Sequence, residues 1–307
     1  MCIRDRGYYD FLALISTYNT KYQGYVKGNG DNAWAGSIAR GLENRSLKWE
    51  TTDTKNIGLD FGFFNNKLTG AMNYYYNQTE ELLITKALPP SAGLNNPILN
   101  VGKIRNSGVE VEINWADSKG GFDYNIGMNF STTKNKVVEL ADKGQVLYGE
   151  GLKYGTEHFP TQTRVGKPIG AFYLYKTNGL FQSNEEARQY VNADGDEYQP
   201  FADAGDIRYV DVNGDGYIDD DDKVYCGSGI PTLEVNLNFS AGYKGFDLSV
   251  VLGSAWGHKI YNGNKYFYEG MNSGSNFLTS SLNVWTPQNT NTCLLYTSDA
   301  ADDLIGV

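Results

Sequence analysis

The chain of 307 residues carries a formal net charge of −10 and holds 23 Tyr, 14 Phe, 5 Trp and 36 Gly against only 8 Pro. An acidic balance without basic clusters excludes the phosphate-neutralising footprint of a nucleic-acid binder. Nowhere do about 18 apolar residues run together, which excludes a transmembrane helix, and abundant Tyr, Asn, Gly and Thr favours strands and turns.

In chain order, the first feature is an end that does not match the rest. Residues 1–6 (Met1-Cys2-Ile3-Arg4-Asp5-Arg6) read as a non-native tail translated from a sequencing adapter, and so do residues 293–307. Residues 7–292 are then the protein proper. Cys2 and Cys293 fall in the tails, so Cys226 stands alone and no internal disulfide is expected.

A tentative strand at 8–16 precedes a long stretch, 17–52. Six runs of strict alternation follow. Ile57, Leu59, Phe61 and Phe63 oppose Gly58, Asp60 and Gly62. Leu68, Gly70, Met72, Tyr74 and Tyr76 oppose Thr69, Ala71, Asn73 and Tyr75. Val109, Val111, Ile113 and Trp115 oppose Glu110, Glu112 and Asn114, and Phe122, Tyr124, Ile126, Met128 and Phe130 oppose Asp123, Asn125, Gly127 and Asn129. Leu233, Val235, Leu237, Phe239 and Ala241 oppose Glu234, Asn236 and Asn238. Phe246, Leu248, Val250 and Leu252 oppose Asp247 and Ser249. A period of two means β-structure with one apolar and one polar face.

Connections between these runs decide between a soluble sandwich and a barrel. Short ones at Asn65-Asn66, 116–121 and 242–245 alternate with long ones at 77–107 and 132–230. Loops longer than about 15 residues are uncommon in compact domains, whereas outer-membrane barrels pair short periplasmic turns with long extracellular loops. The expected class is therefore all-β, an incomplete piece of a transmembrane antiparallel β-barrel, with about seven strands. Tyr74, Tyr76, Trp115, Tyr124 and Phe130 suit the headgroup boundary at the ends of the lipid-facing rows. Asp60, Asn73, Tyr75, Glu110, Glu112, Asp123, Asn125, Asn129, Glu234, Asn236 and Asn238 are expected to face the lumen, where water tolerates carboxylates that a dry core would not.

Five segments then resemble motifs of the SusC/RagA family of TonB-linked outer-membrane transporters. They are Leu47–Thr52 (LKWETT), Asn106–Glu112 (NSGVEVE), Gly166–Tyr173 (GKPIGAFY), Gly205–Asp219 (GDIRYVDVNGDGYID) and Tyr243–Ser249 (YKGFDLS). The resemblance implies a plugged barrel of the 22-stranded type, set in the outer membrane of a Gram-negative cell. It also implies TonB-energised import of glycan or peptide oligomers, with a SusD-like surface lipoprotein as partner. Coupling to the TonB complex would run through an N-terminal part that residues 7–292 do not include. A passive porin-type barrel and a secreted calcium-binding β protein that adheres to glycans are the rival readings.

The one chemical motif is Asp211–Asp222. Asp211, Asn213 and Asp215 stand at positions 1, 3 and 5 of a calcium loop, with Tyr217 at 7 through its carbonyl, Asp219 at 9 and Asp222 at 12. Hard cations take many converging oxygens, and this spacing supplies them from one short segment. A structural Ca²⁺ is expected there, although no second copy of the loop is apparent. His158 and His258 lie far apart, Cys226 has no evident base, and no catalytic motif occurs, so an enzyme is not expected.

Overall fold

A computed structural model describes residues 41–292 apart from 87, 89, 143, 150, 151, 155, 270–275 and 291. It also describes residue 12, the backbone strands 15–18, 25–27, 32–34 and 36–39, and the backbone alone at 152–154 and 156–158. Both tails, 1–6 and 293–307, lie outside the described residues, as does most of the strand expected at 8–16. The chain divides into two compact units. The first takes in residues 1–145, 164–167 and 233–254, and the second 146–163, 168–232 and 255–307.

The first unit is built on one open seven-stranded sheet. Its strands are β1 (Thr51–Phe63), β2 (Leu68–Thr85), β3 (Ile98–Lys119), β4 (Phe122–Thr132), β5 (Lys134–Glu139), β6 (Leu233–Tyr243) and β7 (Phe246–Trp256). Hydrogen-bonded order is β7-β6-β4-β3-β2-β1, with β5 also on β3. All the pairings of known register are antiparallel, so the wall is a meander that leaves the sheet once, between β5 and β6. The alternating runs thus become the strands that periodicity predicts, joined by short turns at 64–67, 120–121 and 244–245.

Three expectations need correcting. The connection read as 77–107 spans only 86–97, because β2 continues to Thr85 and β3 resumes at Ile98. Residues Asn77–Glu81 are all polar and do not alternate, so their pattern signals a loop. They stay paired through the backbone, with a bulge between Thr79 and Leu82 where Glu81 takes a positive φ of 56°. The stretch 17–52 likewise ends inside β1 and contains two short ladders, 15–18 with 36–39 and 25–27 with 32–34. The seventh strand of the sheet is β5, which no alternation announced.

β5 continues β4 in one register. Glu110 pairs with Ser131 and Ser107 with Lys134, so the same offset holds across Thr133. Gly108 lies opposite this junction. A Cβ there would meet the Thr132 carbonyl oxygen at 1.8 Å and the Tyr75 hydroxyl at 2.7 Å. That is why the segment Asn106-Ser107-Gly108-Val109 carries a glycine: only a missing side chain lets the two backbones approach this closely.

Most of the 132–230 segment is built rather than loose. Leu147–Tyr148, Thr161–Thr163, Ala171–Leu174 and Val224–Gly227 form a four-stranded sheet, and Thr177–Leu180 pairs with Ile207–Tyr209. Helix α1 (Asn184–Gln189) starts at Ser183, whose hydroxyl accepts the Glu186 N–H at 3.2 Å, while the Glu186 carboxylate accepts the Gln182 N–H at 2.7 Å. This reciprocal cap satisfies donors that a helix start leaves free. Buried Phe181, Ala187 and Ala202 pack together with Tyr190 against them. A second helix, α2 (Gly263–Glu269), buries Tyr266 against Tyr261 and Phe267.

Candidate functional site

Register converts the alternation into a surface. Across β1, β2, β3, β4 and β6, Gly58, Asn73, Glu110, Ser131 and Glu234 stand in one row. Asp60, Ala71, Glu112, Asn129 and Asn236 form the next. Gly62, Thr69, Asn114, Gly127 and Asn238 form the third, and Ala116, Asn125 and Ser240 the fourth. Asp123 continues this face between Ser118 and Gly242. All the residues expected to face the lumen therefore share one side of the sheet. Its carboxylates Asp60, Glu110, Glu112, Asp123 and Glu234 have no lysine or arginine within ion-pair distance among the described residues. At the short-turn end the wall frames a recess of about 850 Å³ lined by Asp123, Asn125, Ser240, Asp247, Ser249 and Lys67, among others.

Rows of the opposite face are apolar. Leu59, Met72, Val111, Phe130 and Val235 align, as do Phe61, Gly70, Ile113, Met128 and Leu237. Ile57 is 76 % exposed and Leu59 63 %, so nothing among the described residues covers this face there. At the short-turn end it finishes in aromatic rings. Trp115 donates its indole N–H to the Tyr124 hydroxyl at 3.3 Å, Phe64 lies 6.1 Å from Trp115, and Phe122 lies 5.8 Å from Tyr124. Amphipathic rings in this position suit a headgroup boundary.

Tyr75 is on the polar face but is not free. Its hydroxyl donates to the Thr132 carbonyl at 3.1 Å and lies 3.1 Å from the Thr133 hydroxyl, while its cross-strand partner is Gly108. It spans the junction between β4 and β5 and is better described as a clamp than as a ligand-facing group.

The expected calcium ligands take a different arrangement. The Asp211 carboxylate accepts the N–H groups of Gly214 (2.6 Å) and Gly216 (2.9 Å). Asn213 accepts from Asp215 N at 2.8 Å and donates to the Asp215 carboxylate, whose other oxygen accepts Tyr217 N at 2.9 Å. Asp219 accepts from Asp221 N, and the fully buried Asp222 accepts from Val212 N, Asn213 N and Asp219 N. Asp211, Asp215, Asp219 and Asp222 each give at least one oxygen to the turn's own N–H groups, and among the described residues no group of three His, Cys, Asp or Glu side chains could hold a metal ion. The spacing of a calcium loop is thus met here by a turn whose carboxylates bond its own N–H groups.

Local fields follow from the same contacts. Burial works to raise the Asp211 carboxyl, but the Gly216 and Gly214 N–H groups and the Tyr198 hydroxyl outweigh it and hold it below the usual carboxylate range. Tyr198 is raised in turn by burial and by the Asp211 charge. Asp220 is held low by Lys223, 2.8 Å away, with the Tyr175 and Tyr148 hydroxyls also donating to it. Burial raises the Cys226 thiol, as expected of an inert structural cysteine. The His158 side chain lies outside the described residues.

A second turn of the same kind escaped the sequence reading. Asn192 accepts from Asp194 N (3.0 Å) and Asp196 N (2.9 Å), and donates to the Gly216 carbonyl at 3.1 Å. The signal was present: Asn192-Ala193-Asp194-Gly195-Asp196-Glu197-Tyr198 mirrors Asp211-Val212-Asn213-Gly214-Asp215-Gly216-Tyr217 with Asp and Asn exchanged. The two turns abut and support each other.

Comparison with known proteins agrees with the wall. Residues 8–253 match the profile of a family described as TonB dependent receptor-like, beta-barrel. TonB-dependent receptor P3 of Formosa agariphila is 30% identical over 282 residues, which is 91% of this chain and 27% of that protein. TonB-dependent receptor SusC of Bacteroides thetaiotaomicron is 27% identical over 281 residues, 89% of this chain and 25% of SusC. Among solved structures, that of the RagAB peptide transporter superposes with a TM-score of 0.69 at 22% identity, covering 95% of this chain and 30% of that one. The last likeness speaks to fold alone. The chain spans about a quarter of the length of the curated relatives it matches.

Proposed function

The chain belongs to the TonB-dependent receptor-like β-barrel family, and on that premise we propose that it forms part of the wall of an outer-membrane importer. The observation that carries this reading is the two-faced sheet. An uncovered apolar face several strands wide calls for hydrocarbon, and an opposite face of unpaired carboxylates and carboxamides calls for water. A closed barrel in a Gram-negative outer membrane supplies both. Import of an oligomeric nutrient, glycan or peptide, is energised through TonB, and a SusD-like lipoprotein on the cell surface passes the substrate to the lumen. The short turns 64–67, 120–121 and 244–245 face the periplasm, and the segment between β5 and β6 faces outside.

Two measurements on the complete receptor test this. Cysteines placed at 118 and 195 should differ on intact cells, with only 195 reached by an impermeant thiol reagent. Labelling at 118 and not at 195 would invert the orientation. Uptake of oligomers should stop when TonB is removed; uptake that continues would favour a passive porin. Recovery of the detergent-solubilised receptor without any surface lipoprotein would remove the partner.

A further inference from the structure

Resting on the membrane reading above, a binding site can be read at the short-turn end of the apolar face. Lys119, Phe122 and Tyr243 stand side by side on β3, β4 and β6, since Phe122 pairs with both Lys119 and Tyr243. Strand spacing of about 4.8 Å puts the backbones of Lys119 and Tyr243 about 10 Å apart. Between them lie two exposed rings, Phe122 and Tyr243, with centroids 6.3 Å apart. The Lys244 ammonium sits 5.1 Å from the centre of the Tyr243 ring. Beyond it Phe246 is 81 % exposed. Apolar rings thus sit level with two cations.

Charge separates these two lysines from their neighbour. Lys67, on the adjoining turn, is neutralised by Asp117 at 2.7 Å. Among the described residues, no carboxylate lies within ion-pair distance of Lys119 or Lys244. Both are exposed and neither is ion-paired, although the Asp117 charge, already bound to Lys67, reaches Lys119.

Backbone conformation bears on the same turn. Lys244 and Gly245 have φ of 49° and 86°, so the two-residue turn holds a lysine in the left-handed region. Asn or Gly enters that region at far lower cost. The other short turns use Asn65-Asn66 and Gly120-Gly121 there, with Phe64 beside the two asparagines also at a positive φ of 55°. A lysine at 244 is therefore, like Phe64 in its own turn, a residue that the turn geometry alone does not favour.

We propose that Lys119, Lys244 and the Phe122–Tyr243 pair hold the headgroup of an anionic phospholipid. The two ammonium groups meet the phosphate, and the rings cover the glycerol and first acyl carbons. Basic residues close to a membrane surface each favour anionic lipid modestly, so the pair should enrich phosphatidylglycerol over phosphatidylethanolamine on the order of ten-fold.

The test uses the complete receptor in nanodiscs of phosphatidylethanolamine with a minority of phosphatidylglycerol, and counts retained lipids by native mass spectrometry. Wild type should keep phosphatidylglycerol preferentially. Lys119→Gln with Lys244→Asn should lose the preference while the barrel stays folded, because Asn suits the left-handed turn. Lys119→Arg with Lys244→Arg should keep it. Equal enrichment in wild type and the Gln/Asn variant, or none in wild type, overturns the site. Both leaflets of a disc are alike, so the result does not depend on which way the turns face. A receptor that failed to enter the discs would sink the membrane reading and this site with it, whereas one that inserts without lipid preference sinks the site alone.

Discussion

The wall and the second unit are made from the same alphabet and solve opposite problems. In the second unit Phe181, Ala187, Ala202, Ile207 and Tyr266 disappear from solvent, and the chain folds around them. In the wall the comparable residues Ile57, Leu59, Met72, Met128 and Leu237 stay exposed on one face, and cohesion comes from the ladder. Polar groups invert the same way. The wall leaves Asp60, Glu110, Glu112, Asp123 and Glu234 of its polar face bare, while the second unit ties Asp211, Asp215, Asp219 and Asp222 to backbone N–H groups. The difference teaches that hydrophobicity alone does not say where a core is; the solvent each face meets decides.

The comparison breaks most sharply at Phe181. Phe181→Ala should destabilise the second unit by about 3–5 kcal/mol through a cavity at a fully buried ring. Limited proteolysis should then cut within 168–232 while the barrel keeps its heat-modifiable mobility in gels. In the wall the damaging change is of the opposite kind. Met128→Arg should cost about 2–4 kcal/mol in bilayer refolding, since it drives a cation into hydrocarbon. Asn129→Arg, one residue along and facing the other way, should cost far less. Equal costs at 128 and 129 would mean that the two faces meet the same solvent.

Asp222→Ala should cost about 1–3 kcal/mol, because it strands the N–H groups of Val212, Asn213 and Asp219. The readout is a shorter protease half-life of the 211–222 turn, and it should be the same in millimolar calcium and in chelator. Protection by calcium would show that the carboxylates rearrange around a cation after all.

A smaller effect concerns acid. Asp220 is depressed below its unfolded value chiefly by Lys223, so its contribution is present above the unfolded carboxyl pKa and fades as pH falls through the lower folded one. The carboxylate is more than half exposed, so screening keeps the effect small. Protease sensitivity of the second unit should rise slightly in acid below about pH 4, and Asp220→Asn should flatten that dependence.

What the sequence made legible follows from this contrast. In the wall, alternation encodes the faces directly, so Glu110, Glu112, Asn129 and Asn236 could be grouped before any register was known. Pairing beyond the bilayer leaves no such trace. At Asn77–Glu81 the side chains on both faces are polar, the alternation lapses, and a paired strand looks like a loop. β5 is hidden because it is six residues long and buries only Val137 fully. The acidic turn shows the reverse failing. Its spacing is that of a cation loop, but spacing does not fix where oxygens point, and here the backbone N–H groups take them. Asn192–Tyr198 was missed because Asp and Asn trade places in it, although either side chain closes the same turn.

The central claim is that one face of the sheet meets lipid and the other water. Spin labels placed singly at 234, 235, 236, 237, 238 and 239 of the complete receptor in lipid vesicles measure this residue by residue along β6. Accessibility to lipid-dissolved oxygen should peak at Val235, Leu237 and Phe239, and accessibility to a water-soluble nickel chelate at Glu234, Asn236 and Asn238. Opposite phases with a period of two are the predicted result. Odd positions that neither oxygen nor nickel reaches would mean a face packed against protein, and would contradict the account.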